Sequence, residues 1–252
     1  MNDTAATTRV SSWKRLYTFA GVSTLIAVVF FRRNFAAEID VTNGFGIFNM
    51  PEAIPVSASD WFALFQADRY LALGLFGVAD LINYLLIALL FLALYGALKQ
   101  VNRSASLVGL ITYMVGMGVY IASNQAFAML VLSDRYTAAV GEPQRAIYLA
   151  AGEALLAIEN PGSIYQGTGV YLSLLLVLVA GLIFSIMMLR SDDFNNATAV
   201  VGILANGLGM CSFITLVFAP DIQWLFPSLS APFRLIWYIM ITIGLFKLGR
   251  RD

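Results

Sequence analysis

Histidine is absent from the 252 residues, cysteine occurs once, at Cys211, and only 12% of the chain is charged. Each shortage removes a class of chemistry. Without histidine or clustered thiols there is no conventional zinc site, no Ser-His-Asp triad and no haem held by histidine. No metal, no cofactor and no catalytic residue are therefore expected. A lone cysteine in an apolar helix builds neither a disulfide framework nor a paired thiol redox centre within one chain. The three lysines, Lys14, Lys99 and Lys247, fall at the ends of expected helices, which argues against a retinal Schiff base. Fifteen basic residues balance fifteen acidic ones, so no nucleic-acid footprint exists. An ordinary soluble domain is roughly a quarter charged, so water is not this chain's main solvent.

What fills the space is apolar: 60% of the residues are hydrophobic, in repeated long runs broken by short charged punctuation. A hydrocarbon core of about 30 Å needs roughly 20 apolar residues per helical crossing. The runs predict an all-α, polytopic membrane helix bundle in a single domain, 1–252, with about six spans near 14–33, 70–98, 105–132, 164–189, 197–218 and 229–248. The first run, Leu16 to Phe31, ends at Arg32-Arg33 without a small-residue cleavage pattern, so it reads as an uncleaved helix rather than a signal peptide. Two outer amphipathic segments, 57–69 and 143–159, complete the pattern. In the first, Ser59 is the expected N-cap, and Trp61, Phe62, Leu64 and Phe65 share a face expected to lie in the membrane interface. The second is too interrupted by Gly152 and Glu153 to cross alone.

Basic residues sort by side. The N-terminus, the two short turns and the C-terminus hold Arg9, Lys14, Arg15, Lys99, Arg103, Arg190, Lys247, Arg250 and Arg251 against four acids, and the opposite side holds six arginines against ten acids. Both termini are therefore expected in the cytoplasm. All seven prolines fall on the outer side or at the outer mouths of spans, so none is expected to break a span in the manner common among transporters. Gly169, Ser173, Gly181 and Ser185, then Gly118, Ala122 and Ala126, and the pair Ala205 and Gly209 mark close helix approaches. Met114, Met117, Met187 and Met188 read as gap filling rather than a metal site.

The residues left over are polar and out of place. Asp80 and Asn83 lie three apart on the second span, Asn124 and Gln125 on the third, Asn206 within the fifth, Gln166 at the start of the fourth and Arg234 at the start of the sixth. A carboxylate within a span costs about 2.5 to 3.5 kcal/mol. The fourteen Leu, Ile, Val and Phe residues between Leu73 and Leu94 return about 0.3 to 0.6 kcal/mol each, so the span inserts regardless. Asp80, Asn83, Asn124, Gln125, Gln166 and Arg234 are the candidate ligand-binding residues, gathered in the outer half, with Arg234 a better charge partner for Asp80 than Arg32 or Arg33.

The run Leu71 to Ser104, with Asp80-Leu81-Ile82-Asn83-Tyr84 leading to Leu94-Tyr95-Gly96-Ala97-Leu98-Lys99-Gln100-Val101-Asn102-Arg103, resembles a prokaryotic six-helix membrane family known only as a domain of unknown function. The likeness extends over most of the chain, including the short helix after a long loop and the Leu189-Arg190-Ser191 turn. It implies a multi-pass protein of a bacterial or archaeal cytoplasmic membrane and brings no activity or ligand. The lipid bilayer is the expected partner, and the polar residues, not the resemblance, point to a small-molecule or ion ligand held in an outward-facing polar pocket. Two alternatives stand beside this reading. A structural or sensory membrane component would show its polar groups satisfied by one another. A membrane-embedded enzyme acting on lipid would have only Asp80, Glu153 and Glu159 as candidate acids.

Overall fold

The computed structural model describes residues 13–28, 54–163, 165–222 and 224–250. The end of the first expected span, with Arg32 and Arg33, the start of the long outer connection, and Pro51 lie outside the described residues. Among the described residues the chain is all-α. In order come α1 (13–28), α2 (Ala58–Ala67), α3 (Arg69–Leu73), a π-helical turn (Gly74–Val78), α4 (Ala79–Leu98), α5 (Arg103–Ser123), α6 (Ala126–Ala138), α7 (Glu142–Leu156), α8 (Thr168–Met188), α9 (Asn196–Phe218), a short 3₁₀ turn (Pro220–Ile222) and α10 (Leu225–Arg250).

Among the described residues, five helical stretches are long and apolar enough to cross a membrane: Arg69–Leu98, Arg103–Ala138, Thr168–Met188, Asn196–Phe218 and Pro220–Arg250. Their outward faces carry large hydrophobic side chains. On α5 alone Leu107, Val108, Ile111 and Val115 are exposed. A face of that kind is intolerable in water and ordinary in lipid.

The chain divides into two compact units. The first comprises Met1–Arg32, Asn83–Met117 and Leu174–Asp252, and the second Arg33–Ile82 and Gly118–Ser173. In the first unit, Phe91, Leu94, Leu98, Tyr113, Phe184, Met188, Trp237, Ile241 and Leu245 form a continuous core. Phe91 stacks on Tyr113 with ring centroids 4.1 Å apart and meets Phe184 edge-on. Small residues admit this packing, because lipid provides no hydrophobic drive and close backbone approach must do so instead. A Cβ on Gly181 would collide with Asn206 of α9, and one on Gly202 with Ser185 and Trp237. Gly118, expected to mark an approach, faces open space instead. Met187 and Met188 are buried and Met114 and Met117 pack against the core, as gap fillers should.

The second unit is built on aromatic residues. Trp61, Phe62 and Phe65 of α2 are fully buried with Phe76, Met129 and Leu156, and Trp61 meets Phe76 edge-on at 4.7 Å. The aromatic face expected to lie in the membrane interface is thus covered by protein, while Leu64 is only partly buried. The reason is Gly152 on α7: a Cβ there would come within 2.8 Å of Phe62 Cζ and 2.9 Å of Ala58 Cβ, so the two short helices pack face to face. The cap of α2 is Ser57 and not Ser59. Ser57 has the extended backbone a cap requires, and its hydroxyl oxygen accepts from Asp60 N at 3.2 Å. Glu153 adds a second cap, accepting from Ala58 N at 2.8 Å. Arg69 and Asp134 form an ion pair between α3 and α6.

Two boundaries move from their expected places. The sixth span begins at Leu225 rather than 229, because Pro227 falls in the first turn of α10, where a missing N–H costs nothing. Pro232 then sits inside the helix. The third span is not one helix, and this break shapes the site.

Candidate functional site

α5 ends at Ser123 and α6 starts at Ala126, leaving Asn124 and Gln125 outside either helix. No proline is needed. Ser123, Asn124 and Gln125 all compete with the helix for backbone hydrogen bonds, and here Asn124 and Gln125 each satisfy a group that the break frees. Asn124 Oδ1 accepts from Ala126 N at 3.2 Å, Gln125 Nε2 donates to Ser123 O at 3.1 Å, and Ser123 Oγ donates to Tyr120 O at 3.2 Å. A break in a span is tolerated only when its groups are re-satisfied in this way.

Another freed donor, Gln125 N–H, goes to a residue 34 positions away. Glu159 Oε2 accepts it at 2.5 Å, and Asn124 Nδ2 approaches Glu159 Oε1 at 3.5 Å. Glu159 therefore sits at the positive end of α6, where a negative charge is stabilised. The loop that carries it is held by its own bonds. Asn160 N donates to Gln166 O, Gly162 N to Asn160 Oδ1, and Asn160 Nδ2 to Val56 O. Gly167, at φ 118°, brings the chain against Ile158 O, a conformation that a side chain would strain.

Another distorted segment shares this unit. The π turn Gly74–Val78 contains Gly77 at φ 127°, and a Cβ there would collide with Asn124 Nδ2 and lie 2.9 Å from the Tyr120 hydroxyl. π turns within helices concentrate at functional sites. The Tyr120 hydroxyl is 3.5 Å from Gly77 O and 3.4 Å from Asp80 Oδ2, and Asp80 occupies the first turn of α4.

Glu159 is 3% exposed. Burial pushes its carboxyl up to about 7, the Gln125 N–H pulls the other way, and the charge of Asp80 adds to the rise. Glu159 is therefore divided between its protonated and charged forms near neutrality.

Of the six residues singled out in the sequence, Asp80, Asn124 and Gln125 belong to this cluster. Gln166 does not join it: its side chain is exposed and donates to Pro161 O at 3.4 Å, while its backbone holds the Glu159 loop. Asn83 and Arg234 belong to the first unit. There Arg234 interacts with Tyr84 and Tyr238, and its Nη2 would lie 3.0 Å from a Cβ on Gly209, so that glycine leaves it room. Tyr113 donates to Tyr84 O at 2.6 Å. Asn83 Oδ1, Trp237 Nε1 and Thr242 Oγ1 are buried without a hydrogen-bond partner in the structure. Asn206 donates to Gly202 O at 2.7 Å, a local bond within α9. Sequence reasoning missed Tyr120, and it named Glu159 only as an acid that a lipid-acting enzyme could use, not as part of the polar cluster. Its one legible signal was Glu159-Asn160-Pro161-Gly162, a turn-forming stretch directly after an amphipathic helix.

Exposed apolar helix faces, a helix interrupted without proline and a buried acid at the interruption define an all-α integral membrane protein with a polar cluster in its helical framework. The chain belongs to the family described as Domain of unknown function (DUF4386), whose model matches residues 16–248. No curated protein and no solved structure matches the chain.

Proposed function

We propose that this chain is a multi-pass protein of a bacterial or archaeal cytoplasmic membrane, with both termini inside, that binds or translocates a small ligand or ion at its outer side. The site is the cluster of Asp80, Tyr120, Asn124, Gln125 and Glu159. One observation carries this reading: the third span is interrupted at Asn124 and Gln125, and a buried carboxylate occupies the helix end that the interruption exposes. Half-helix ends of this kind are where membrane transporters hold charged ligands.

Helix lengths support an outer position. At 1.5 Å per residue, the 20 residues of α4 and the 21 of α5 each span about one hydrocarbon thickness from the Lys99–Asn102 turn to the cluster. On this reading Asp80 and Asn124 lie toward the outer boundary of the bilayer. A lipid-cleaving enzyme is the weaker alternative, because the hydroxyl of Ser123, the serine beside the cluster, is engaged with Tyr120 O rather than with an acid that could activate it. A purely structural role is favoured by the mutual satisfaction of Ser123, Asn124 and Gln125.

Two measurements separate binding from structure. With Cys211→Ala, a cysteine at position 124 is expected to react with a membrane-impermeant thiol reagent added outside intact cells. In detergent, the thermal midpoint is expected to rise with at least one of sodium, potassium, ammonium or choline, and to stop doing so in Glu159→Gln. An inert cysteine together with flat midpoints for all four probes would leave the structural role.

A further inference from the structure

The start of α1 meets the last turns of α10 at two glycines. A Cβ on Gly21 would come within 2.8 Å of Phe246, and one on Gly249 within 2.6 Å of Thr18 Oγ1 and 3.2 Å of Lys14 O. Beside this crossing the two helices leave an open groove of about 760 Å³. Its lining runs from Lys14 and Arg15 past Thr18 to Phe19 and Val22, with Gly249 on the other wall. Phe19 is 60% exposed and Val22 45%, so among the described residues no side chain covers the apolar end.

The groove is graded in polarity along its length. Lys14 and Val22 are eight residues apart, about 12 Å along a helix, which is the distance over which a membrane surface passes from headgroup to acyl chain. The polar end is cationic, and among the described residues no acid lines the groove. On α10 the exposed Lys247 and Arg250 flank Gly249, adding positive charge to the same turn. An occupant must therefore be an amphiphile with an anionic head and an apolar tail. Basic pockets between transmembrane helices recognise anionic lipid headgroups on these terms.

We propose that this groove is a binding site for anionic phospholipid, its phosphate between Lys14 and Arg15 and an acyl chain laid over Phe19 and Val22. A zwitterionic lipid brings the same phosphate together with its own ammonium group, which the surrounding cations repel. Selectivity then follows from charge and retention from the tail.

The test uses the full chain in a non-ionic detergent, titrated with phosphatidylglycerol, with phosphatidylcholine of the same acyl chains, or with soluble glycerol phosphate. Bound lipid is counted by native mass spectrometry and the thermal midpoint is followed in parallel. Phosphatidylglycerol is expected to be retained and to raise the midpoint, with phosphatidylcholine weaker by about ten-fold and glycerol phosphate without effect at equal concentration. Lys14→Gln with Arg15→Gln is expected to weaken phosphatidylglycerol by about ten-fold or more, two surface cations having been removed. Arg103→Gln with Arg190→Gln, the same charge removed outside the groove, should not. Arg15→Gln alone keeps the test alive if the double variant fails to fold, since Arg15 is exposed, and a several-fold loss is expected there. Phe19→Ser, at another exposed position, should weaken long-chain phosphatidylglycerol. Equal retention of both lipids, undiminished phosphatidylglycerol binding in the charge variants, or glycerol phosphate binding as tightly as the lipid would each overturn the proposal.

Discussion

Glu159 shows how much one side chain can carry in this molecule. Its carboxyl lies 34 residues from the N–H it accepts, is nearly sealed from solvent, and is held up to about 7 chiefly by burial. Because the folded-state value lies above the ordinary 4.5, the folded protein binds the proton more tightly than the unfolded chain does. The stability this group contributes is present below about pH 4.5 and is lost as pH rises through about 7, by roughly 3 kcal/mol across the window. Unfolding in detergent from pH 5 to pH 8 should show this slope in the parent. Glu159→Gln, which keeps an acceptor for Gln125 N–H and cannot ionise, should flatten it. An unchanged slope would place the titration elsewhere. Asp80, the residue that stood out in the sequence, is placed beside Tyr120 in the same unit, so the acid legible from composition and the acid found by folding meet within one cluster.

Helices in this chain are set by contacts that glycine permits, and each position can be tested alone. A Cβ on Gly181 collides with Asn206, whereas Gly118 has nothing within 4 Å. Gly181→Ala should therefore lower stability by about 1 to 3 kcal/mol through overpacking. Gly118→Ala should be neutral or stabilising by up to about 1 kcal/mol, since alanine is the better helix former. Thermal unfolding of the two variants side by side checks the contrast, and equal losses would refute it. α2 offers a second test. In a variant whose only tryptophan is Trp61, with Trp13, Trp224 and Trp237 changed to Phe, emission should resist both lipid-attached quenchers and aqueous iodide, because Trp61 has no exposed surface. Strong quenching by the lipid-attached probes would return α2 to the membrane interface. Helical periodicity correctly gave α2 one aromatic face, but the same stripe serves lipid or protein equally well. Only the glycine opposite, Gly152 on a helix some ninety residues later, decides between them.

For the whole molecule, the balance of basic residues puts both ends on the cytoplasmic side, an expectation that labelling can check. With Cys211→Ala as the parent, single cysteines at Ser57 and Gln144 should react with a membrane-impermeant thiol reagent in intact cells, and one at Asn102 should stay silent until the cells are opened. Equal labelling at all three positions would sink the orientation, and with it the outward reading of the cluster.

The sequence by itself determined that the chain is helical and built for a membrane. Those properties follow from composition and run length, which every residue reports independently: 60% hydrophobic side chains in runs near 20 residues match the length of a membrane-crossing helix, about twice that of a crossing strand. It also determined what chemistry is missing, since an absent histidine is absent from every fold. The tertiary structure alone decided that the third span breaks at Asn124, that Gly77 adopts a positive φ within a helical run, and that Glu159 closes the exposed helix end. These features depend on partners tens of residues apart. A helix with apolar neighbours on both sides of Asn124 and Gln125 reads as continuous until a distant acceptor for the freed N–H is in place. Backbone satisfaction in lipid is therefore a property of the fold and not of any local stretch of sequence.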